Sequence, residues 1–541
     1  KAQIADLKNV NTDKIASLKD WARYTTDEQA RVKGILTDYI QENLPLTERG
    51  KLLDAVKNVK NQAELDEVLV RVDRIAEVSE QKLLRIEITK ELAKTKPKKV
   101  GGILKGKYTP EIQDWLNVAR ANLKMDRDVA RARIAEVIQQ HSENKISEDA
   151  MLEQVSLLKL AGIDGMSSSE LREMLADIRS MKDIGKTIHQ AEVEKVKQRI
   201  DAIKTKAIDE ITGGKGLKPG TGVLDARELE AKTNFVGRLT DNQLAFGNLL
   251  DEISKLSKTL PYQSEISKFE RVVQSARNKE NIGLKQYQSS IIKDFADSYG
   301  LKKPGEINAK LNELENVKVD LGTFRVVIDG KAEMVHMVKT KAQIIQHYLW
   351  QQDPTLIDTY KEGMHWTYEI NTAMANSLTE QDVAFADSIM QFYRDYYPTI
   401  DTVYSQLYGV HLPSNPNYSP LLRDFDSAIP ENVMVFKDLA HYASVLNGSL
   451  KSRVRNILPL HDTSVLTNLI NHVSQMEHFK EWALPMRDMR RVFGDKTVRT
   501  AIQQYHGRPV LQKIDHYLDL FARGGIDRMQ VIKGLDKLLK I

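Results

Sequence analysis

Long runs of this chain place apolar residues three or four apart. That spacing puts them on one face of a helix, and it constrains the fold more than any other feature. In "AELDEVLVRVDRIAEV", Leu65, Val68, Leu69, Val72, Ile75 and Val78 form such a stripe, with charges on the remaining faces. In "SSSELREMLADIRSM", Ser167 and Glu170 have capping-box spacing, and Leu171, Met174, Leu175, Ile178 and Met181 continue as a stripe. The spacing predicts a mainly α protein, an elongated series of helical bundles. At 541 residues the chain is too long for one ordinary core.

The punctuation divides the chain. Helix is expected over 1–96 and 110–211. Between them "KTKPKKVGGILKGKYTPE" reads as a basic linker at 97–109. "TGGKGLKPGTG" at 212–222 reads as a Gly-rich linker, because it lacks the Walker order of glycines, lysine and hydroxyl. A third helical region follows over 223–316. At 317–338, "TFRVVIDGKAEMVHMV" pairs two β-rich runs across Asp329-Gly330, a hairpin signal, and the preceding "VKVDLG" is a candidate third short strand.

From 339 to 541 an aromatic-rich helical domain is expected, holding 12 of the 18 tyrosines beyond residue 340. Thr379 can cap with Asp382. Phe385, Ile389, Phe392, Tyr393 and Tyr396 make a bulky stripe, Pro398 is expected to end that helix, and Gly409 to end the next. Further breaks are expected at Pro459, Pro485 and Pro509. Five of the 15 prolines crowd into 398–430, which predicts an ordered loop over 410–430 with Tyr418 and Phe425 as buried anchors.

The chemistry expected from these residues is sparse. With no cysteine, disulfides, thiolate metal sites and cysteine nucleophiles are excluded. Ten of the 12 histidines lie beyond residue 330. His472 and His478 are six apart, about 240° around a helix, so they face different ways. His461-Asp462 and His365 with Glu369 are the acid/base pairs to inspect. No cofactor or metal site is expected. Two basic groups are candidates for nucleic-acid contact: Lys96, Lys98, Lys99, Lys105 and Lys107, and then Arg487, Arg490 and Arg491. A net charge of +4 does not by itself call for such a partner. No run of about 18 apolar residues signals a transmembrane helix. The opening residues lack both an initiator Met and a signal-peptide core, as expected of a processed chain or a piece of a longer one.

The order of segments carries a resemblance. "LKGKYTPEIQDWL", the hairpin leading into "KTKAQIIQHYLW", the "NYSP" loop after "SLTEQDVAFADSIMQFYRDYYPTIDTVYSQLYGVHLPS", and "HFKEWALPMRDMRRVFGDKTVRTAI" follow one another over about residues 40 to 525. This series resembles the long helical regions of bacteriophage large polyvalent proteins and internal virion proteins. The resemblance implies a non-enzymatic structural module, packaged in the particle and delivered with the genome. Its implied partners are other virion proteins or further domains of the same polyprotein, with DNA or a second copy of the chain as additional ones. It carries over no site residue. Two alternatives stay open: an enzyme, a nuclease or peptidoglycan-cleaving factor, using the His-rich C-terminal half, and a nucleic-acid-binding module using the basic groups.

Overall fold

In the computed structural model, residues 21–100, 103–218, 242–257, 263–328, 330–421, 460 and 462–522 are described. The protein is mainly α, as the apolar spacing predicts, with two small antiparallel hairpins among the described residues. It divides into two compact units, one comprising 1–96 and 107–188, the other 97–106 and 189–541.

In the first unit, α1 (Thr26–Asn43), α2 (Leu46–Asn58) and α3 (Gln62–Ala93) close a core around Trp21, Leu36, Ile40 and Val72. A capping box between Thr25 and Glu28 starts α1. Of the α3 stripe, Leu65, Val68, Leu69 and Val72 are buried, whereas Val78 is exposed. A second core joins the far end of α3 to α4 (Pro110–Asn122), α6 (Glu148–Lys159) and the start of α7 (Ser168–Thr212), with α5 (Arg127–Ser142) beside it. Ser167 and Glu170 make the expected reciprocal cap. Glu77 of α3 accepts from both the backbone N–H and the hydroxyl of Ser168, which ties it to the first turn of α7. From there Arg172 meets Glu80, Arg179 meets Glu87 and Lys182 meets Glu91. The first two pairs repeat every seven residues on both helices, the period of two helices packed side by side. Half-exposed pairs of this kind contribute little energy, but their order permits a single register.

In the second unit, β1 (Lys98–Val100) and β2 (Ile103–Lys105) pair across the stretch expected to be a linker. Their anchor is tertiary: the Gly106 N–H donates to the Tyr408 carbonyl at 2.9 Å. A Cβ at Gly106 would overlap the Gly409 carbonyl, so only glycine fits that approach. The second expected linker is also docked as far as it is described. Lys218 N–H donates to the Gln504 side chain, and Tyr505 Oη–H donates to the Gly216 carbonyl. Residues 219–222 lie outside the described residues.

The larger core of this unit gathers the end of α7, α8 (Asn242–Ser254), α9 (Lys268–Tyr299), α13 (Glu380–Tyr408), α14 (Val465–Phe493), α15 (Lys496–His506) and α16 (Arg508–Ala522). A second core joins the far end of α9 to α10 (Pro304–Asn316), α11 (Lys341–Gln351) and the other halves of α13 and α14. Here the structure corrects two expected breaks. Pro398 lies inside α13 and Pro485 inside α14. Each helix continues because its apolar face is buried on both sides of the proline, a tertiary term that overrides the local preference. Thr379 and Asp382 form the expected capping box, and Gly409 ends α13 at φ +68°.

The expected hairpin is β3 (Lys318–Ile328) paired with β4 (Lys331–Thr340). "VKVDLG" is not a separate third strand. It is the first part of β3, joined to the rest by a bulge between Asp320 and Gly322, where Gly322 adopts φ +99°. Val326 and Met337 bury one face of the hairpin against Ile344 of α11 and Ile370 and Met374 of α12 (Tyr368–Asn376).

Candidate functional site

α11 is the organising element of the aromatic-rich half. Thr340 caps it by a box with Gln343, and its buried face carries polar side chains as well as apolar ones. Its polar face pins the loop that follows α13. Trp350 Nε1–H donates to the Pro420 carbonyl at 2.7 Å, and Asn468 Nδ2–H donates to the same oxygen at 2.8 Å. Gln346 bonds both Asn468 and Ser419. Asn415 donates to Asp353, and Arg394 donates to the Pro416 carbonyl. Polar clamps and the buried Val410 and Leu412 therefore order the described part of this loop, 410–421. Tyr418 is half-buried rather than a buried anchor, with its ring edge-on to Tyr393 and tilted over His472. Phe425 lies outside the described residues.

His347, also on α11, is fully buried. Its Nε2 lies 3.2 Å from Asp462 Oδ1, and its Nδ1 lies 3.1 Å from the Tyr360 hydroxyl. This geometry assigns the Nε2–H tautomer, with Tyr360 donating to Nδ1. Lys339 pairs with the other oxygen of Asp462. Burial drives the imidazole below its usual range against the opposing pull of Asp462. Burial also pushes the Tyr360 phenol well up. Asp462 is pushed up by burial, but the bonds from His347 and Lys339 outweigh that and hold it at about 2. The arrangement is a neutral phenol and a neutral imidazole on a fixed carboxylate. Trp366 packs against both rings, 4.6 Å from His347 and 5.4 Å from Tyr360 by centroid.

Beyond Tyr360 and Trp366 opens a cleft of about 600 Å³. One wall is β3, through Arg325 and Val327; the other is the segment from Asp353 to Asn371. That segment contains a single π-helical turn at Thr359–Gly363 and a non-glycine residue in the left-handed region, His365 at φ +55°. Such irregularities are common at functional sites. Glu369 does not pair with His365; its carboxylate is held low by the Thr367 side chain.

No family model, curated protein or solved structure matches this chain. What the site can do is therefore read from its own geometry.

The other sequence candidates do not assemble with this cleft. His472 is buried among the rings of Tyr393, Tyr396 and Tyr418. His478 contacts Glu280 at 3.1 Å and the Ala522 carbonyl at 3.2 Å, stacked on Trp482. His461 lies outside the described residues. Among the described residues, no three His, Asp or Glu side chains are placed to hold a metal ion.

The second basic group is largely spent inside the fold: Arg487 pairs with Asp488 and Arg490 with Asp519, while Arg491 is exposed. In the first group, Lys98, Lys99 and Lys105 belong to the second unit, with Lys98 opposite Lys105 in the hairpin register. Lys96 and Lys107 belong to the first unit and are exposed. Sequence reasoning missed Arg325, Lys361, Trp366 and His347. Their partners are brought together only by tertiary structure, so no local spacing marks them.

Proposed function

We propose that this chain is a non-enzymatic structural module of a bacteriophage internal virion protein, packaged in the particle and delivered with the genome. The observation that carries the reading is how the protein uses its interior polar groups. Four of its interior carboxylates close on neighbouring groups, mostly as pins between helices. Glu477 of α14 accepts from Tyr396 of α13 and pairs with Lys480, its neighbour on the same helix. Asp382 of α13 binds Tyr299 of α9 and Lys341 of α11. Glu210 of α7 takes Ser264 together with the N–H groups of Glu265 and Ile266. Glu280 of α9 takes His478 and Trp482 of α14. Half-satisfied networks are costly in a low-dielectric interior, and satisfied ones specify a single packing. A rigid helical scaffold has that need. The order of sequence segments supports the same reading. Among the described residues, no helix is long and apolar enough to cross a membrane.

Mass spectrometry of purified particles tests the proposal. Peptides from across the chain are expected in the virion at defined copy number. Their absence from particles, with the protein abundant in infected cells, would overturn it.

A further inference from the structure

The cleft between β3 and the Asp353–Asn371 segment stands apart from these closed networks, because its polar groups fall into two classes. The acceptors are largely engaged. Asp353 receives Thr355 on one oxygen and Asn415 on the other, and Gln351 donates to Asn371 at 3.0 Å. The cations are free: Arg325 and Lys361 are both exposed and have no ion-pair partner among the described residues. The same cleft is lined by aromatic surfaces, the half-buried Trp366 and the Tyr368 ring, which is 82% exposed.

This division selects among ligands. A neutral glycan also stacks on aromatic rings, but it brings no negative charge to the two cations. A purely apolar ligand would leave both cations unanswered. A planar ring carrying a phosphate satisfies both classes, since stacking on aromatic side chains is tolerant of base identity and a phosphate pairs with arginine and lysine. The volume falls within the ordinary range for small-molecule sites.

We infer that this cleft binds a nucleoside phosphate, with its base against Trp366 and Tyr368 and its phosphate on Arg325 and Lys361. The site is separate from both basic groups visible in the sequence, and it does not depend on the packaging role. The ligand is either a free nucleotide or the phosphorylated end of a single strand; the chemistry recognised is the same.

The test titrates the full chain with dTMP, thymidine, maltotriose and a 5′-phosphorylated oligothymidylate, read by tryptophan fluorescence and calorimetry. Saturable dTMP binding is expected, weakened as salt rises. Thymidine should bind at least about tenfold more weakly, as for loss of a charge-assisted contact. Arg325→Ala and Lys361→Ala should each lower dTMP affinity by about tenfold. Both positions are exposed, so these variants keep the fold. Trp366→Phe should abolish the fluorescence response. Tighter binding of the oligonucleotide than of dTMP assigns a strand end, and equal binding assigns a free nucleotide; either supports the inference. It is overturned by any of four results: no saturable dTMP binding, thymidine binding as tightly as dTMP, maltotriose binding in preference to dTMP, or unchanged affinity in both alanine variants.

Discussion

Acid should loosen the second unit at a pH where its paired carboxylates are still ionised, and His472 should account for much of this. The ring is 5.2 Å from Tyr393, 6.5 Å from Tyr396 and 5.6 Å from Tyr418 by centroid. Burial alone drives its imidazole from 6.5 down to about 3. Each pH unit of displacement is worth about 1.4 kcal/mol, so charging this ring inside the fold costs on the order of 5 kcal/mol. The folded value lies below the unfolded one. The stability it contributes is therefore whole above pH 6.5 and is lost as pH falls from there toward about 3.

His347, also lowered by burial, acts in the same direction. Glu477 and Glu315, raised by burial, act in the opposite one. A variant comparison cancels these shared terms. His472→Phe keeps an aromatic ring in the cage and removes the titration. Urea midpoints followed by far-UV circular dichroism between about pH 6 and about pH 4 should give a wild-type stability slope steeper than the variant's by about 1.4 kcal/mol per pH unit, the limit for one proton. Parallel slopes would refute the reasoning and show that the ring charges without cost.

Four further outcomes are expected, each read from thermal or denaturant unfolding. Pro398→Ala should stabilise by about 1–3 kcal/mol, because Pro398 is exposed and withholds one helical N–H inside α13. Gly283→Ala should destabilise by about 2 kcal/mol or more, since its Cβ would overlap the buried Glu477 carboxylate, whereas Gly34→Ala, with open space beside it in α1, should stabilise by about 1 kcal/mol. Tyr418→Ala should cost about 1–3 kcal/mol, less than a fully buried tyrosine would, with equal melting of variant and wild type counting against its packing on Tyr393 and His472.

What was legible in the sequence was whatever is enforced within a few residues. The Thr379–Asp382 box, the left-handed Gly409 and the β3–β4 pairing are local, and they stand where local reasoning puts them. Contacts between distant segments left no such trace. The 98–105 hairpin is tied down through Tyr408, and Arg490 is neutralised by Asp519 of α16. Lysines in a glycine-rich stretch and clustered arginines look the same in a sequence whether they are solvated, paired or waiting for phosphate. The cleft was invisible for the same reason. Arg325 stands on a strand, while Lys361 and Trp366 stand in an irregular turn, and only the packing of β3 against that turn makes them one surface.

The two prolines are a different case, because the decisive signal was present in the sequence. Around Pro398 the buried residues are Tyr393, Tyr396, Ile400, Val403 and Tyr404, and the three-or-four spacing passes through the proline without a phase change. Around Pro485 the same holds for Trp482, Met486, Met489 and Val492. A proline inside a helix costs roughly 3 kcal/mol. Breaking α13 there would release the phase of Ile400, Val403 and Tyr404, each of which contributes about 1.5–3 kcal/mol by burial. The sum favours continuing the helix. The proline faces outward in α13, so its ring displaces no core side chain. Continuity of the apolar phase on both sides, weighed against one lost hydrogen bond, is the comparison that distinguishes a proline that ends a helix from one that a helix absorbs.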